Sequence, residues 1–307
     1  MKANLQCTDS QYKGTRRMPS SPAIRRAAKH RLTTYSPETA LGEPLYRILW
    51  HFLSELRRIR WQIWIAFRRD FSGRHSQTVL GVFWSLLLPL IPVTVYLLLA
   101  HVRVLKTTDD MPFVVYIVLG MTIWTFLSGT ILSSIAAIPR AKTILETSRY
   151  PVLAEILSNF GQMMFELTVR SAFLIVVLLL FDVSLHWSIF LLPLVMLPLI
   201  LFGLGAGIFL SILNVIIKDV SHTVEIVLRY GLFLSSVIFP MPESGVFARF
   251  NMFNPFNTFV VAVRDFVVLG QLSNLNLFLI TSLIGVFLFL FSCKVLYTME
   301  FRIKAYL

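Results

Sequence analysis

Long apolar runs separated by short charged gaps dominate the chain from residue 79 onward. A helix needs roughly 20 apolar residues to cross a hydrocarbon core about 30 Å thick. Six runs meet or nearly meet this length, namely 79–101, 112–135, 158–181, 188–212, 222–239 and 275–298. Because backbone groups in lipid must be hydrogen-bonded within their own segment, the pattern predicts six transmembrane helices in an all-α membrane protein. The fifth run is the weakest, since it is short and carries Glu225 and Arg229.

The composition agrees with this pattern, and the distribution of charge indicates why the chain is basic. Of the 307 residues, 56% are hydrophobic and 14% are charged, with a net charge of +12 and a mean hydropathy of +0.73. A basic balance can indicate nucleic acid, anionic lipid or membrane topology. Of the 28 Lys and Arg residues, 15 precede residue 79. The sequence therefore predicts a membrane protein with a basic front end, binding membrane lipids and not nucleic acid.

The chain divides into three parts. Residues 1–44 are rich in Ser, Thr, Pro, Lys and Arg and hold too little apolar surface to order themselves, which predicts a disordered basic cytoplasmic tail. An organelle transit peptide has a similar composition and is the alternative for this tail. Residues 45–77 form the second part, and a transmembrane domain over 78–307 forms the third.

An amphipathic pattern over 45–77 predicts a helix that lies in the headgroup layer. Its apolar face has residues at steps of three and four, namely Leu56, Ile59, Ile63, Phe67 and Phe71. Basic and indole side chains suited to the membrane surface are Arg57, Arg58, Trp61, Trp64, Arg68 and Arg69. Arg60 and Asp70 interrupt the apolar arc, so the alternative is an ordinary helix packed on protein with a solvated basic face.

The distribution of basic residues predicts the orientation. Segments 59–78, 136–157, 213–221 and 299–307 lie on one side of the six spans and carry 10 basic residues. The segments on the other side carry 4. By the positive-inside rule, both termini are expected in the cytoplasm.

Residues 138–154, called the elbow below, form the first candidate contact segment. Its functional candidates are Arg140, Lys142, Glu146, Arg149, Tyr150 and Pro151. Charged and apolar residues alternate here as in a short amphipathic helix that presents a surface to a partner, and Pro151 should break the chain before the next span. A membrane-surface loop is the alternative. Lys218 and Asp219, in a second turn on the same side, are a further docking candidate.

The stretch 240–274 has a helical rhythm but is too short and too charged to cross the membrane. We expect a segment that dips into the outer leaflet and returns, with Asn254 and Pro255 starting its helix. Arg264 and Asp265 lie near its far end, where they should pair with each other or line a polar passage. An interfacial helix outside any transport path is the alternative.

Aromatic side chains in the first two spans suit a passage along which sugar rings could slide. The candidates are Phe83, Trp84, Tyr96 and Trp124. Interface anchoring or ordinary packing is the alternative for each of them.

Motifs for chemistry within this chain are missing from the sequence. There is no G-x-x-x-x-G-K-[ST] phosphate loop, nucleophile elbow or H-E-x-x-H helix, and no metal-ligand cluster. We therefore expect no catalytic residues, no metal and no cofactor in this chain, so that active transport would need a separate ATPase.

Four segments, with the spacing between them, resemble the ABC-2 type permease family, specifically its branch for export of O-antigen, capsule and teichoic acid. They are RRDFSGRHSQTVLGVFWSLLLPL at 68–90, SRYPVLAEIL at 148–157, NVIIKDV at 214–220 and NPFNTFVVAVRD at 254–265. The similarity runs from about residue 55 to the C-terminus. The chain departs from the pattern in its long tail and in His75, Ser76 and Gln77, where a more basic sequence is usual.

The resemblance implies a multi-pass protein of the bacterial inner membrane that exports a lipid-linked polysaccharide such as lipopolysaccharide O-antigen or capsule. It implies an interface helix before the first span, an elbow that docks on an ABC ATPase subunit, and re-entrant helices before the last span. A homodimer of permeases would enclose the channel, and the ATPase would bind ATP and Mg.

Two other functions stay open at this point. An ABC-2 exporter of drugs or lipids shares the scaffold. A membrane-embedded glycosyl- or acyltransferase is the alternative of another class, although it needs acidic or His residues gathered at one membrane face. Here His51, His75, His101, His186 and His222 are scattered over both sides.

Overall fold

A computed structural model describes residues 45–75, 111–147, 150–183, 187–238 and 245–306, together with positions 94, 95, 98 and 240. The regular elements in these ranges are all helical. They are α1 (Leu45–His75), α2 (Phe113–Arg140), α3 (Lys142–Thr147), α4 (Val152–Leu180), α5 (Leu192–Ile216), α6 (Val220–Gly231), α7 (Val246–Phe253), α8 (Pro255–Val268) and α9 (Leu275–Tyr306). A 3₁₀ turn, Trp187–Leu191, leads into α5.

Four of the described helices are long and apolar enough to cross a membrane, namely Phe113–Arg140, Val152–Leu180, Ile189–Ile216 and Leu275–Met299. They correspond to the second, third, fourth and sixth predicted spans. The chain is therefore a multi-pass membrane protein whose described regular elements are all helical, as predicted. The first predicted span, 79–101, lies outside the described residues except for positions 94, 95 and 98, and the tail 1–44 lies outside them entirely.

The fifth predicted span, 222–239, differs from the observed structure. Here α6 has 12 residues and ends at Gly231, after which the chain continues in turns to residue 237. A helix of this length is about 18 Å long, short of a hydrocarbon core about 30 Å thick. A residue of α8 stabilises this turn, because the backbone N–H of Ser236 donates to Asn257 Oδ1 at 2.9 Å. Partners distant in sequence thus replace the helical hydrogen bonds.

The long helices pack closely where small residues face them. An ideal Cβ on Gly205 would lie 2.7 Å from the backbone nitrogen of Phe289, so α5 and α9 approach at a point that only glycine allows. On the other side of α5, Gly207 lies against Ser134 of α2. Glycine therefore permits the close approach of α5 to both α9 and α2.

Two apolar cores lie at opposite ends of the bundle. The elbow-end core joins Ile59 of α1, Ile138 at the end of α2, Val152 at the start of α4 and Cys293 of α9. The larger core extends to the opposite end, where α2 begins, and includes residues of α8 such as Phe259. The two ends therefore have separate packing, and each carries a set of the predicted functional residues.

Candidate functional site

The elbow is a short helix with one anchored and one exposed face. The helix α3 follows α2 after a single residue, Ala141, whose N–H donates to Ala137 O at 3.1 Å. Ala141 and Leu145 are buried in the elbow-end core, whereas Arg140 and Lys142 are exposed. The predicted short helix is observed, and among its described side chains Lys142 and Thr143 are exposed, while the presentation of a surface to a partner stays a prediction. The side chain of Glu146 and the whole of Arg149 lie outside the described residues.

Tyr150 and Pro151 join the elbow to α4. Pro151 occupies the N-cap position in an extended conformation (φ −75°, ψ 133°), so the predicted break before the span is confirmed. The half-buried Tyr150 packs against the elbow-end core, and its hydroxyl has no hydrogen-bond partner in the described part of the chain. Burial, with the Glu155 carboxylate nearby, raises the pKa of Tyr150 to about 12. The phenol is therefore neutral at physiological pH.

A salt bridge connects α1 to α4 beside the elbow. Arg69 Nη2 lies 2.9 Å from Glu155 Oε1 and 3.1 Å from Oε2, and Arg69 Nε lies 2.7 Å from Asp70 Oδ1. Glu155 is only 1% exposed, while the Arg69 side chain is 41% exposed. The hydrogen bond to Asp70 and the two carboxylates raise the pKa of Arg69. This contact fixes the start of α4 to the end of α1.

The Arg69–Glu155 salt bridge was not predicted from the sequence, although a signal for it existed. Glu155 lies in an apolar stretch, four residues after Pro151, in the first turn of a span. A carboxylate that is buried there requires a cation. The sequence did not identify which of the arginines before the first span would supply it, because the contact joins residues 86 positions apart.

The helix α1 buries one face on protein and exposes the other. Phe52, Ile59 and Ala66 are buried against α4 and α9, so the apolar face packs on protein, as the alternative interpretation held. Trp61 is 67% exposed and Trp64 is 49% exposed. The basic residues Arg57, Arg58 and Arg68 are also exposed. A location at the membrane surface stays a prediction.

The second predicted docking turn lies between α5 and α6. Lys218 and Asp219 are both exposed. Asn214 fixes the turn, because its Oδ1 accepts a hydrogen bond from the backbone N–H of Ser221 at 3.1 Å. The topology puts this turn at the end of α5 that packs in the elbow-end core, on the same end as α3.

At the opposite end, α7 and α8 form two short helices separated by Asn254. The Asn254 Oδ1 accepts from the backbone N–H groups of Phe256 and Asn257 at 3.1 and 3.4 Å, and Pro255 is the first helical residue. The prediction that Asn254 and Pro255 start the helix is confirmed. The helix α8 packs against α2, α5 and α9, and its Phe259 and Val260 are completely buried. Whether this pair dips into a leaflet stays a prediction.

Arg264 of α8 has different partners from those expected. Its guanidinium lies 3.6 Å from the centroid of the Tyr116 ring, and Nη2 donates to the carbonyl oxygens of Ser236 at 2.6 Å and Val237 at 3.4 Å. The Tyr116 hydroxyl donates to the same Ser236 carbonyl at 3.0 Å. Arg264 is 3% exposed. Backbone dipoles and a π-face therefore stabilise this cation, and we find no ion pair with Asp265.

Other polar and aromatic residues of the spans have local partners. Arg170 Nη2 lies 3.1 Å from Glu166 Oε2, and Arg170 Nη1 donates to Thr125 Oγ1 at 2.6 Å, so this charge of α4 has an acidic partner one turn away. Trp124 is buried and its ring lies 5.5 Å from that of Phe256. Phe83, Trp84 and Tyr96 lie outside the described residues.

Residues 61–268 match the protein family described as ABC-2 type transporter. A curated relative, the O-antigen export system permease protein RfbA of Myxococcus xanthus, is 24% identical over 187 residues, which cover 61% of this chain and 71% of the relative. The protein of the same description from Klebsiella pneumoniae is 22% identical over 214 residues, covering 67% of this chain and 79% of the relative. Since the family match covers most of the chain, including the Arg69–Glu155 salt bridge, the elbow and Arg264, the chain belongs to the ABC-2 type transporter family.

Proposed function

We propose that this chain is the permease subunit of an ABC transporter that exports a lipid-linked polysaccharide, such as O-antigen or capsule, across the bacterial inner membrane. Two copies pair as a homodimer around the path of the glycan. Each binds a separate ATPase subunit, which holds ATP and Mg. Both termini, the elbow and the turn at Lys218 are cytoplasmic, and α7 and α8 lie at the outer face.

The observation that carries the substrate class is the similarity to two permeases whose names specify O-antigen export, over 71% and 79% of their lengths. An exporter of drugs or lipids would belong to the same family, but we would not expect it to resemble permeases named for O-antigen export. Transport, as opposed to membrane-embedded catalysis, is supported by the family and by the sites themselves. The buried charges described here pair with each other or with backbone groups inside packed cores.

The geometry of the elbow supports coupling to a partner. Its residues Arg140 and Lys142 are exposed and do not belong to the elbow-end core, so they are accessible to an ATPase. Its anchored face and the Arg69–Glu155 salt bridge connect it to α1 and α4. A partner that binds two conformations unequally can shift such a packed unit between them. ATP-driven closure of the two ATPases would thus push α3 and tilt the spans.

Deletion of the gene in the organism that carries it tests the substrate class. Surface polysaccharide should disappear from immunoblots of intact cells, while lipid-linked glycan accumulates inside the inner membrane. The wild-type gene should restore surface polysaccharide. Normal surface polysaccharide in the deletion strain, with altered drug resistance or lipid distribution, would instead support the exporter of drugs or lipids.

A double variant tests the coupling surface. Arg149→Ala with Tyr150→Ala should retain the assembled complex and its ATPase activity but lose export, because the docking helix no longer transmits closure. The matched control is Val246→Ala with Arg249→Ala on exposed positions of α7 at the opposite end, which should leave the ratio of export to ATP hydrolysis unchanged. Wild-type export by the elbow variant would remove the assignment of the docking helix.

A further inference from the structure

A cavity of about 370 Å³ lies at the opposite end of the bundle from the elbow, between α7, α8 and the start of α9. This volume falls within the range of about 300–1,000 Å³ that small-molecule sites occupy. The elbow and the docking turn contribute no residue to it.

The polar lining has a distinct chemistry. Seven residues with amide, hydroxyl or carboxylate groups line the cavity, namely Ser236, Asn251, Asn257, Thr258, Asp265, Ser273 and Asn274. Amides and hydroxyls both donate and accept hydrogen bonds, which matches the dual character of sugar hydroxyls. The described lining includes no Lys or Arg and has a single carboxylate. This charge balance disfavours phosphate or an acidic sugar and favours a neutral ligand rich in hydroxyls.

Asn251 supplies an independent sign that a ligand belongs here. The residue is 6% exposed, and its Nδ2 donates to Ser236 Oγ at 3.3 Å. Its Oδ1 is buried and has no hydrogen-bond partner in the described part of the chain. A buried acceptor without a donor is costly, so such groups in native proteins call for a partner. A hydroxyl donor inside the cavity would satisfy it.

The remaining lining is apolar and fixed in place. Phe278 is buried, with its ring edge-to-face against Phe259 at 6.4 Å, and Leu272 and Leu277 lie beside it in the lining. The Asn257 Oδ1 is held by the backbone N–H of Ser236. A rigid apolar wall opposite a few placed polar groups is the usual composition of a small-molecule site. A sugar ring offers both surfaces, with C–H groups on its faces and hydroxyls around its edge.

We propose that this cavity binds a neutral sugar unit of the exported glycan, close to the exit from the membrane. The inference rests on the proposed function and deepens it, because it adds a contact for the carbohydrate between α7, α8 and the start of α9. A sugar held here would be retained between successive transport steps.

Binding by the full-length chain in lipid nanodiscs tests the inference. The probe is the mixture of mono- and oligosaccharides released by mild acid from the surface polysaccharide of the organism that carries the chain, detected by saturation-transfer NMR. We expect transfer from the wild-type protein to sugar protons. Asn274→Ala and Asp265→Asn should each reduce it at least fivefold.

Matched controls lie close by. Asn276→Ala, at an exposed position two residues after Asn274, and Asp182→Asn, at an exposed turn, should keep the wild-type signal. The inference is overturned if wild-type protein gives no transfer, if the cavity variants bind as well as the controls, or if calcium or phosphate binds in place of sugar.

Export measured in parallel separates the two proposals. No sugar transfer from the wild-type protein, together with loss of surface polysaccharide in the deletion strain, would overturn the cavity assignment and leave the proposed function standing. Sugar binding by a chain whose deletion leaves surface polysaccharide intact would overturn the proposed function and leave the cavity assignment standing.

Discussion

Two arginine sites at opposite ends of the bundle, one partly exposed and one buried, are stabilised in different ways. At the elbow end, Arg69 meets the Glu155 carboxylate across two helices and stays 41% exposed. At the opposite end, Arg264 is 3% exposed and contacts the Tyr116 ring and two backbone carbonyls. The first is a pair of side chains on separate elements. The second is a cation surrounded by fixed parts of three segments.

The difference indicates different mechanical roles. An ion pair between flexible side chains tolerates small shifts, is screened by salt, and loses its partner if either helix moves away. Carbonyl dipoles and a ring face permit little adjustment, because Arg264 connects α8 to the start of α2 and to the 232–238 turn at once. We infer that the elbow end transmits movement and that the opposite end is a rigid frame.

Arg264→Ala should have the largest effect. Truncation removes the charge-assisted hydrogen bonds and the ring contact and leaves a cavity, so we expect a loss of about 3–5 kcal/mol in the free energy of unfolding, the range for truncation of a large buried side chain. Unfolding by SDS in mixed micelles measures it.

Two further variants separate charge from volume at this site. Arg264→Met fills much of the space without the charge and should lose less than Arg264→Ala. Arg249→Ala, at an exposed position of α7, is the control and should change little. An Arg264→Met protein more stable than wild type would show that this cation is kept for a purpose other than the frame.

Breaking the Arg69–Glu155 salt bridge should come next. Arg69→Ala leaves Glu155 buried without its cation, and we expect a loss of about 2–3 kcal/mol, below the range for fully buried pairs because Arg69 is partly exposed. Glu155→Gln removes the charge on the buried side and should cost less. A double-mutant cycle gives the coupling energy between the two residues.

The amount of export per ATP hydrolysed distinguishes the two arginine sites further. If the elbow end transmits movement, Arg69→Ala should reduce export per ATP hydrolysed. The folded fraction of the Arg264→Met protein should keep the wild-type ratio. Equal effects of both variants on this ratio would contradict the division into a transmitting end and a rigid end.

Alanine substitutions at two glycines, one at each end of the bundle, should change the free energy of unfolding in opposite directions. A Cβ on Gly120 would lie 2.5 Å from Val237 O and 2.6 Å from Arg264 Nη2. Gly120→Ala should therefore lose about 2 kcal/mol, since the backbone must shift. Gly73, in α1, has nothing within 4 Å of an added Cβ, and Gly73→Ala should stabilise by about 0.5–1 kcal/mol. Destabilisation of similar size in both would mean that the opposite end is not the more tightly packed region.

The sequence predicted those parts of the fold that follow from local pattern. Four spans, the Pro151 break and the Asn254 start depend on residues near one another in the chain, and all are observed. The early end of α6 was not predicted, because an apolar run does not reveal that Asn257, 21 positions away, binds the backbone of Ser236.

The same limit applies to the two ends of the bundle. The pattern predicted Arg264 and the charged elbow as candidates, since ionisable groups among apolar residues are conspicuous. Their partners were not predictable. Tyr116 looks like any aromatic residue near a span end, and a carbonyl oxygen such as that of Ser236 carries no sequence signal at all. Only the tertiary contacts decide whether a cation finds an acid, a ring or a dipole.

Tyr150→Phe should have the smallest effect and tests what the elbow needs from this residue. The ring packs in the elbow-end core, but its hydroxyl has no partner in the described part of the chain. We expect the free energy of unfolding to change by less than about 1 kcal/mol at pH 7, and export to be normal.

The pH dependence of stability gives a second test. Because burial raises the pKa of Tyr150 to about 12, this tyrosine ionises in the unfolded chain at a lower pH than in the folded one. Above about pH 10 the free energy of unfolding therefore falls as the pH rises. Tyr150→Phe should lack this loss, whereas Tyr230→Phe, on an exposed ring, controls for the substitution at pH 7. A large loss of stability or export by Tyr150→Phe would show that the hydroxyl has a partner after all.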